Sequence, residues 1–239
     1  KIEEIIDYFY ELNGLIEDSG RIMLMDDYFY LLKNNIKLKN KDKVNNLPYS
    51  ESAKAYIATQ IELNDALEIL INKLENAQKL DDTIIVLLAD HYPYGLNLDQ
   101  INELSDYKKD SIIGVNDSNL IIWNKQMKTI EVDKVGMSID VLPTVYNLFG
   151  IDYDSRLFAG SDILSTRDGL AIFNERSWVS DKGKYYGISN DFISKEGVKE
   201  NYIKNINNIM NNKINISKLI VKNNYYNYLK VLILMLLSH

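Results

Sequence analysis

The chain has 239 residues, a formal charge of −7 and a pI near 5.0. It is long enough to bury a large domain, and it lacks the basic footprint of a nucleic-acid binder, so no nucleic acid is expected as a partner. The absence of cysteine excludes disulfides and thiolate metal sites and leaves the redox compartment open.

Ile2, Ile5, Ile6, Phe9 and Leu12 recur at helical spacing, which predicts an amphipathic helix closing near Gly14. This opening is charged rather than an apolar leader and has no initiating methionine, so the chain is expected to begin inside something longer. Asp-Tyr-Phe-Tyr occurs at residues 7–10 and 27–30, but among 17 tyrosines two copies are chance rather than a repeat. Residues 33–46 are polar and aperiodic, as in a solvated loop, and Pro48 closes them.

Ser50 is the predicted N-cap of a long helix in which Ile57, Ile61, Leu67, Leu70, Ile71 and Leu74 recur at three and four residues through about Gln78. A short connector, residues 79–82, leads to a continuous apolar run at 83–89, the pattern of a strand covered on both faces. Further strands are expected at 119–124 and around Glu131 to Val135. Asp140 is the expected cap of a short helix with Pro143 in its first turn and Gly150 at its end. Residues 169–189 predict two short strands around an Asp181-Lys182-Gly183 turn. From about Lys195 the chain predicts a helix and then an apolar tail. The run Val231 to Leu237 falls far short of the roughly 20 residues of a membrane span. With no glycine-rich linker, one compact domain with a helical C-terminal appendage is the simplest organisation, and helix, tight connector and strand together point to an α/β fold.

The apolar run stops on Asp90 and His91, followed by Tyr-Pro-Tyr-Gly. In open α/β sheets ligands bind at the carboxyl ends of strands, and a carboxylate beside an imidazole suits a divalent cation such as zinc or manganese. The same dipeptide also reads as an aspartate capping a turn and a histidine satisfied by a backbone carbonyl.

The stretch "LDDTIIVLLADHYPYGL" resembles the second metal-binding segment of the sulfatase and alkaline phosphatase superfamily, in the form found in lipoteichoic acid synthases. "SIDVLPTVYNLFGI", residues 138–151, is similar to the family's Asp-x-x-Pro-Thr helix. "SRLFAGSDILS", residues 155–165, is similar to its closing segment, and the long helix from residue 47 resembles the one preceding the metal strand. The resemblance implies a layered α/β/α sandwich of the alkaline phosphatase-like type, incomplete on its amino-terminal side. Residues 1–46 are then a poorly matched helix and loop, 47–187 the carboxyl-terminal part of the catalytic domain, and 188–239 a helical appendage.

By this resemblance Asp90 and His91 are metal ligands, with manganese expected first and magnesium or zinc as alternatives. Asp140 and Gly160 are structural, and Ser177 and Trp178 look like a family feature, with core packing the role expected of Trp178. The family's nucleophile is a threonine near the start of the catalytic domain, and neither Thr59 nor Thr83 stands in such a context. Where relatives carry Ser-Gly-His, this chain has Ser19-Gly20-Arg21, and an arginine can bind phosphate but cannot shuttle a proton at neutral pH.

The implied activity is transfer of glycerophosphate from a phospholipid to a cell-surface polymer, at the extracellular face of the membrane in full-length relatives. The expectation here is a fragment, inactive alone, whose partners are the lipid head group, the polymer and the missing amino-terminal half. A sulfatase or phosphodiesterase of the same superfamily, and a non-catalytic remnant serving as an interaction module, are the alternatives.

Overall fold

The structure is a computed structural model that describes residues 40–195 and 197–229. The helix expected at residues 2–12, Arg21, the tail from Val231 and His239 lie outside the described residues. The chain forms two compact units that divide between Ile130 and Glu131. Each combines helices with antiparallel strands, and with a helical C-terminal part this is the α/β class the sequence predicted.

In the first unit, α1 (Lys41–Val44) occupies part of the predicted loop, because Val44 is buried there and Asn40 donates its amide to Glu62 at 2.6 Å. Helix α2 (Glu51–Asn76) starts as predicted: Ser50 Oγ accepts the Ala53 N–H at 3.4 Å. Its deepest line is Ala53, Ala55, Ala58 and Ala66, whereas the predicted Ile and Leu face is half-buried.

A short 3-10 turn, Leu80–Asp82, leads into β1 (Ile85–Leu87), which pairs antiparallel with β2 (Ile121–Trp123) so that Val86 faces Ile122. The strand is shorter than the apolar run and only half-buried, because a two-stranded ribbon cannot enclose its residues as a central sheet would. Asn124 fastens its entrance, donating to the carbonyls of Asp81 at 3.2 Å and Thr83 at 2.8 Å. Helix α3 (Leu98–Glu103) opens with a reciprocal cap between Asn97 and Gln100, both hydrogen bonds being 2.9 Å. Its Ile101 forms a small core with Leu96 and Val115, against which Tyr56 and Tyr92 pack.

In the second unit, residues 131–135 are not a strand. A side chain holds them instead of a ladder: Asp181 accepts the Val135 N–H at 3.0 Å and the Gly169 N–H at 2.6 Å. Helix α4 (Ser138–Leu148) begins ahead of the predicted cap, which puts Asp140 inside its first turn, and Gly150 follows its end at φ +63°. Four antiparallel strands then run as a meander, β3 (Leu170–Ile172), β4 (Trp178–Ser180), β5 (Gly183–Tyr186) and β6 (Asp191–Ser194). The sequence predicted two strands before residue 189 and three form, because Glu175 and Arg176 adopt left-handed backbone at φ +59° and +58° and separate β3 from β4. Helix α5 (Glu200–Lys222) packs Ile206 and Met210 onto Trp178 and Tyr185.

Candidate functional site

After Leu87 the backbone leaves the strand, so Asp90 and His91 stand in the loop beyond β1 rather than on its last residues. The Asp90 carboxylate is turned back on the chain, with Oδ1 accepting the His91 N–H at 2.9 Å. The imidazole is held from two sides and faces a carboxylate on a third. Its Nδ1 lies 2.7 Å from the Tyr92 carbonyl oxygen, its face stacks on Tyr94 with centroids 4.1 Å apart, and Nε2 lies 3.5 Å from Asp90 Oδ2. Tyr92 meets Tyr94 edge-on at 4.7 Å and packs against the Leu96, Ile101 and Val115 core, so the aromatic turn rests on buried structure. Pro93 closes that turn by accepting the Leu96 N–H at 3.0 Å.

A carbonyl only accepts, so in the neutral imidazole the proton sits on Nδ1 and the lone pair on Nε2. That is the tautomer of a metal-bound histidine whose other nitrogen is fixed by a carbonyl. Ligand bonds of about 2.0–2.2 Å at a tetrahedral angle place two donors roughly 3.4 Å apart, close to the 3.5 Å observed between Nε2 and Oδ2. The Asp90 side chain is 88% exposed and that of His91 30%, so an ion reaches the pair from solvent. Asp90 and His91 thus fit as two adjacent ligands. Among the described residues no cluster of three or more His, Cys, Asp or Glu side chains is placed to hold a metal. The local hydrogen bonds are also those of the plainer reading, a capping aspartate and a carbonyl-bound histidine.

The other described residues singled out from the sequence make local hydrogen bonds or packing contacts. Asp140 is buried and accepts the N–H groups of Met137 at 2.8 Å and Ser161 at 2.7 Å. Gly160 lies so close to α4 that a Cβ there would overlap the Ile139 carbonyl. Buried Ser177 accepts the Gly187 N–H at 3.0 Å. Trp178 has no exposed surface, stacks on Tyr185 at 5.3 Å and donates Nε1 to Asn207 at 2.8 Å. Thr59 donates to the Tyr56 carbonyl at 2.6 Å within α2, and Thr83 to that of Lys79 at 2.8 Å. Thr144, the threonine of the Asp-x-x-Pro-Thr helix to which sequence reasoning gave no role, is fully buried, donates to the Asp140 carbonyl at 2.6 Å and accepts the Ile163 N–H at 2.9 Å. Sequence reasoning also missed the grip of Tyr94 on His91, for which the interleaved Tyr-Pro-Tyr was the available signal.

Residues 26–151 match the family model described as Sulfatase. Over 137 residues the chain is 31% identical to lipoteichoic acid synthase 2 of Bacillus subtilis, covering 52% of this chain and 21% of that protein. It is 32% identical over 135 residues to lipoteichoic acid synthase of Staphylococcus saprophyticus, covering 54% and 21%. The Staphylococcus aureus lipoteichoic acid synthase is 30% identical over 148 residues, covering 57% and 22%. The chain therefore spans about a fifth of the length of the curated relatives it matches.

Proposed function

The chain belongs to the sulfatase family, and on that premise we propose that Asp90 and His91 are two protein ligands of a divalent metal in a phosphoryl-transfer centre. Manganese is the first candidate, with magnesium and zinc behind it. The reaction proposed is transfer of a glycerophosphate group from a phospholipid to a cell-surface polymer, at the extracellular face of the membrane. What supports this is the similarity to lipoteichoic acid synthases over about half the chain. Sulfatase-family enzymes generally use a divalent metal, which when bound lowers the pKa of an attacking hydroxyl and neutralises charge on the phosphoryl group.

The single observation that carries the site assignment is the 3.5 Å separation of His91 Nε2 and Asp90 Oδ2. In this reading Tyr92 fixes the tautomer through its carbonyl, Tyr94 fixes the plane of the ring, and the Asp90 cap holds both donors on one turn. Thr59 and Thr83 donate to backbone carbonyls, and in this proposal the attacking hydroxyl and the remaining ligands come from outside the described residues. Alone, this chain is inactive in that scheme.

The test is calorimetric titration of the chain with manganese and with zinc, beside the Asp90→Ala/His91→Ala variant. Micromolar binding lost in the variant is expected. Binding that is absent, or indifferent to the substitutions, favours the second reading, a non-catalytic remnant in which these two residues only cap their own turn.

A further inference from the structure

Residues 201–239 hold five lysines and no aspartate or glutamate. This stretch therefore carries +5 while the 200 residues before it carry −12, together the −7 of the chain. Through Asn223 and Asn224, the latter at φ +49°, the chain passes from α5 into another helical turn at 225–229. One side of α5 is accounted for, since Ile206 and Met210 are buried on Trp178 and Ile203 and Ile214 pack beside them. Ile209, Ile216 and Leu219 form a second stripe, at spacings of seven and three, and are 42%, 56% and 56% exposed. Exposed Lys204, Lys218 and Lys222 run along the flank of that stripe. Beyond them Tyr225, Tyr226 and Tyr228 are also exposed, Tyr226 donating its hydroxyl to the Leu157 carbonyl at 3.2 Å.

The outer face is thus three apolar residues set among exposed Asn205, Asn208, Asn212 and Asn215, with lysines as its only charges after Glu200 and tyrosines beyond it, a mixed apolar and cationic make-up suited to a membrane interface. A two-fold contact between copies would bring lysine stripes of like charge together, which disfavours a second copy as the occupant. We propose that the outer face of α5, with the turn at Tyr225 to Tyr228, binds the surface of an anionic phospholipid bilayer. Ile216 and Leu219 enter the acyl boundary, and Lys218 and Lys222 meet the lipid phosphates. The proposal is independent of the phosphoryl-transfer reading, because it uses none of the residues around His91.

The experiment is co-sedimentation of the full chain with vesicles of equal parts phosphatidylglycerol and phosphatidylcholine, against pure phosphatidylcholine, at low and high salt. The expected result is binding to the anionic vesicles that weakens with salt. Lys218→Gln/Lys222→Gln is expected to lower affinity roughly thirtyfold, and Ile216→Asp/Leu219→Asp to abolish binding. Both variants are at exposed positions, and an unchanged circular dichroism spectrum will verify their fold. Equal binding to neutral vesicles, or binding that both variants retain, overturns the proposal, including the case in which only removal of residues 231–237 releases the protein. A concentration-dependent dimer broken by Ile216→Asp/Leu219→Asp, without vesicle binding, also overturns it and assigns the stripe to a second copy. Metal binding by Asp90 and His91 is read separately, so either idea can fail alone.

Discussion

His91 presents Nε2 to Asp90 Oδ2 at 3.5 Å while Tyr94 lies flat against its ring, the two planes 4° apart. If His91 is the ligand proposed above, the stack would orient its donor without touching the ion, and its removal should act on affinity rather than on fold. Tyr94→Ala is expected to weaken manganese or zinc binding roughly tenfold, in the range of other orienting contacts around metal ligands. Tyr94→Phe should bind like the wild type, because stacking needs the ring and not the hydroxyl. Calorimetric titration of the three proteins decides it.

The residues after Gly160 are clamped to α4 by Asp140, which accepts the Ser161 N–H, and Thr144, which accepts that of Ile163. Thr144→Val keeps the shape and leaves a partly buried N–H without its acceptor, so denaturant unfolding should show a loss of about 1–3 kcal/mol. Thr144→Ser should lose clearly less. Gly160→Ala should also destabilise, by about 1–3 kcal/mol, since the new methyl group meets the backbone of Ile139 rather than a side chain that can move.

Trp178 is the largest of the fully buried side chains, and it ties the meander to α5 through Tyr185, Met210 and Asn207. Trp178→Ala is expected to cost about 3–5 kcal/mol, and Asn207→Ala about 1 kcal/mol from the lost indole partner. If Trp178 instead served a binding site, thermal melting of Trp178→Ala would show little change.

Asp154 and Arg156 form an exposed pair with an Nη2 to Oδ2 distance of 2.6 Å. The hydrogen bond from the Arg156 side chain, then that from its backbone N–H, pulls the Asp154 carboxyl from 3.8 down to about 2. A carboxyl held below its unfolded value stabilises the folded state above pH 3.8, and this contribution disappears as the pH falls toward 2. Carbon-detected titration should place the Asp154 midpoint near 2 in dilute buffer. Arg156→Gln, or added salt, should return it toward 3.8.

Local chemistry wrote much of this protein into its sequence. The start of α2 followed from Ser50 and its course from apolar residues at three and four, and the end of α4 followed from Gly150, because caps and helical periods act within a turn of chain. The placement of Asp90 and His91 after an apolar run marked the candidate site, and core packing was the role expected of Trp178. The tertiary structure decided the rest. The Val135 segment became coil because Asp181, 46 residues on, takes its N–H, and the clamp on α4 joins groups 21 and 19 residues apart. Of the run at 83–89 only Ile85–Leu87 became a strand, and a half-buried one, because its partner β2 forms only a two-stranded ribbon with it. The tautomer of His91 depended on the backbone carbonyl, and the plane of its ring on the tyrosine, that the Tyr-Pro-Tyr turn folded against it. Such contacts are set by which groups are brought together and desolvated in the folded chain, and no pattern of period or propensity encodes them.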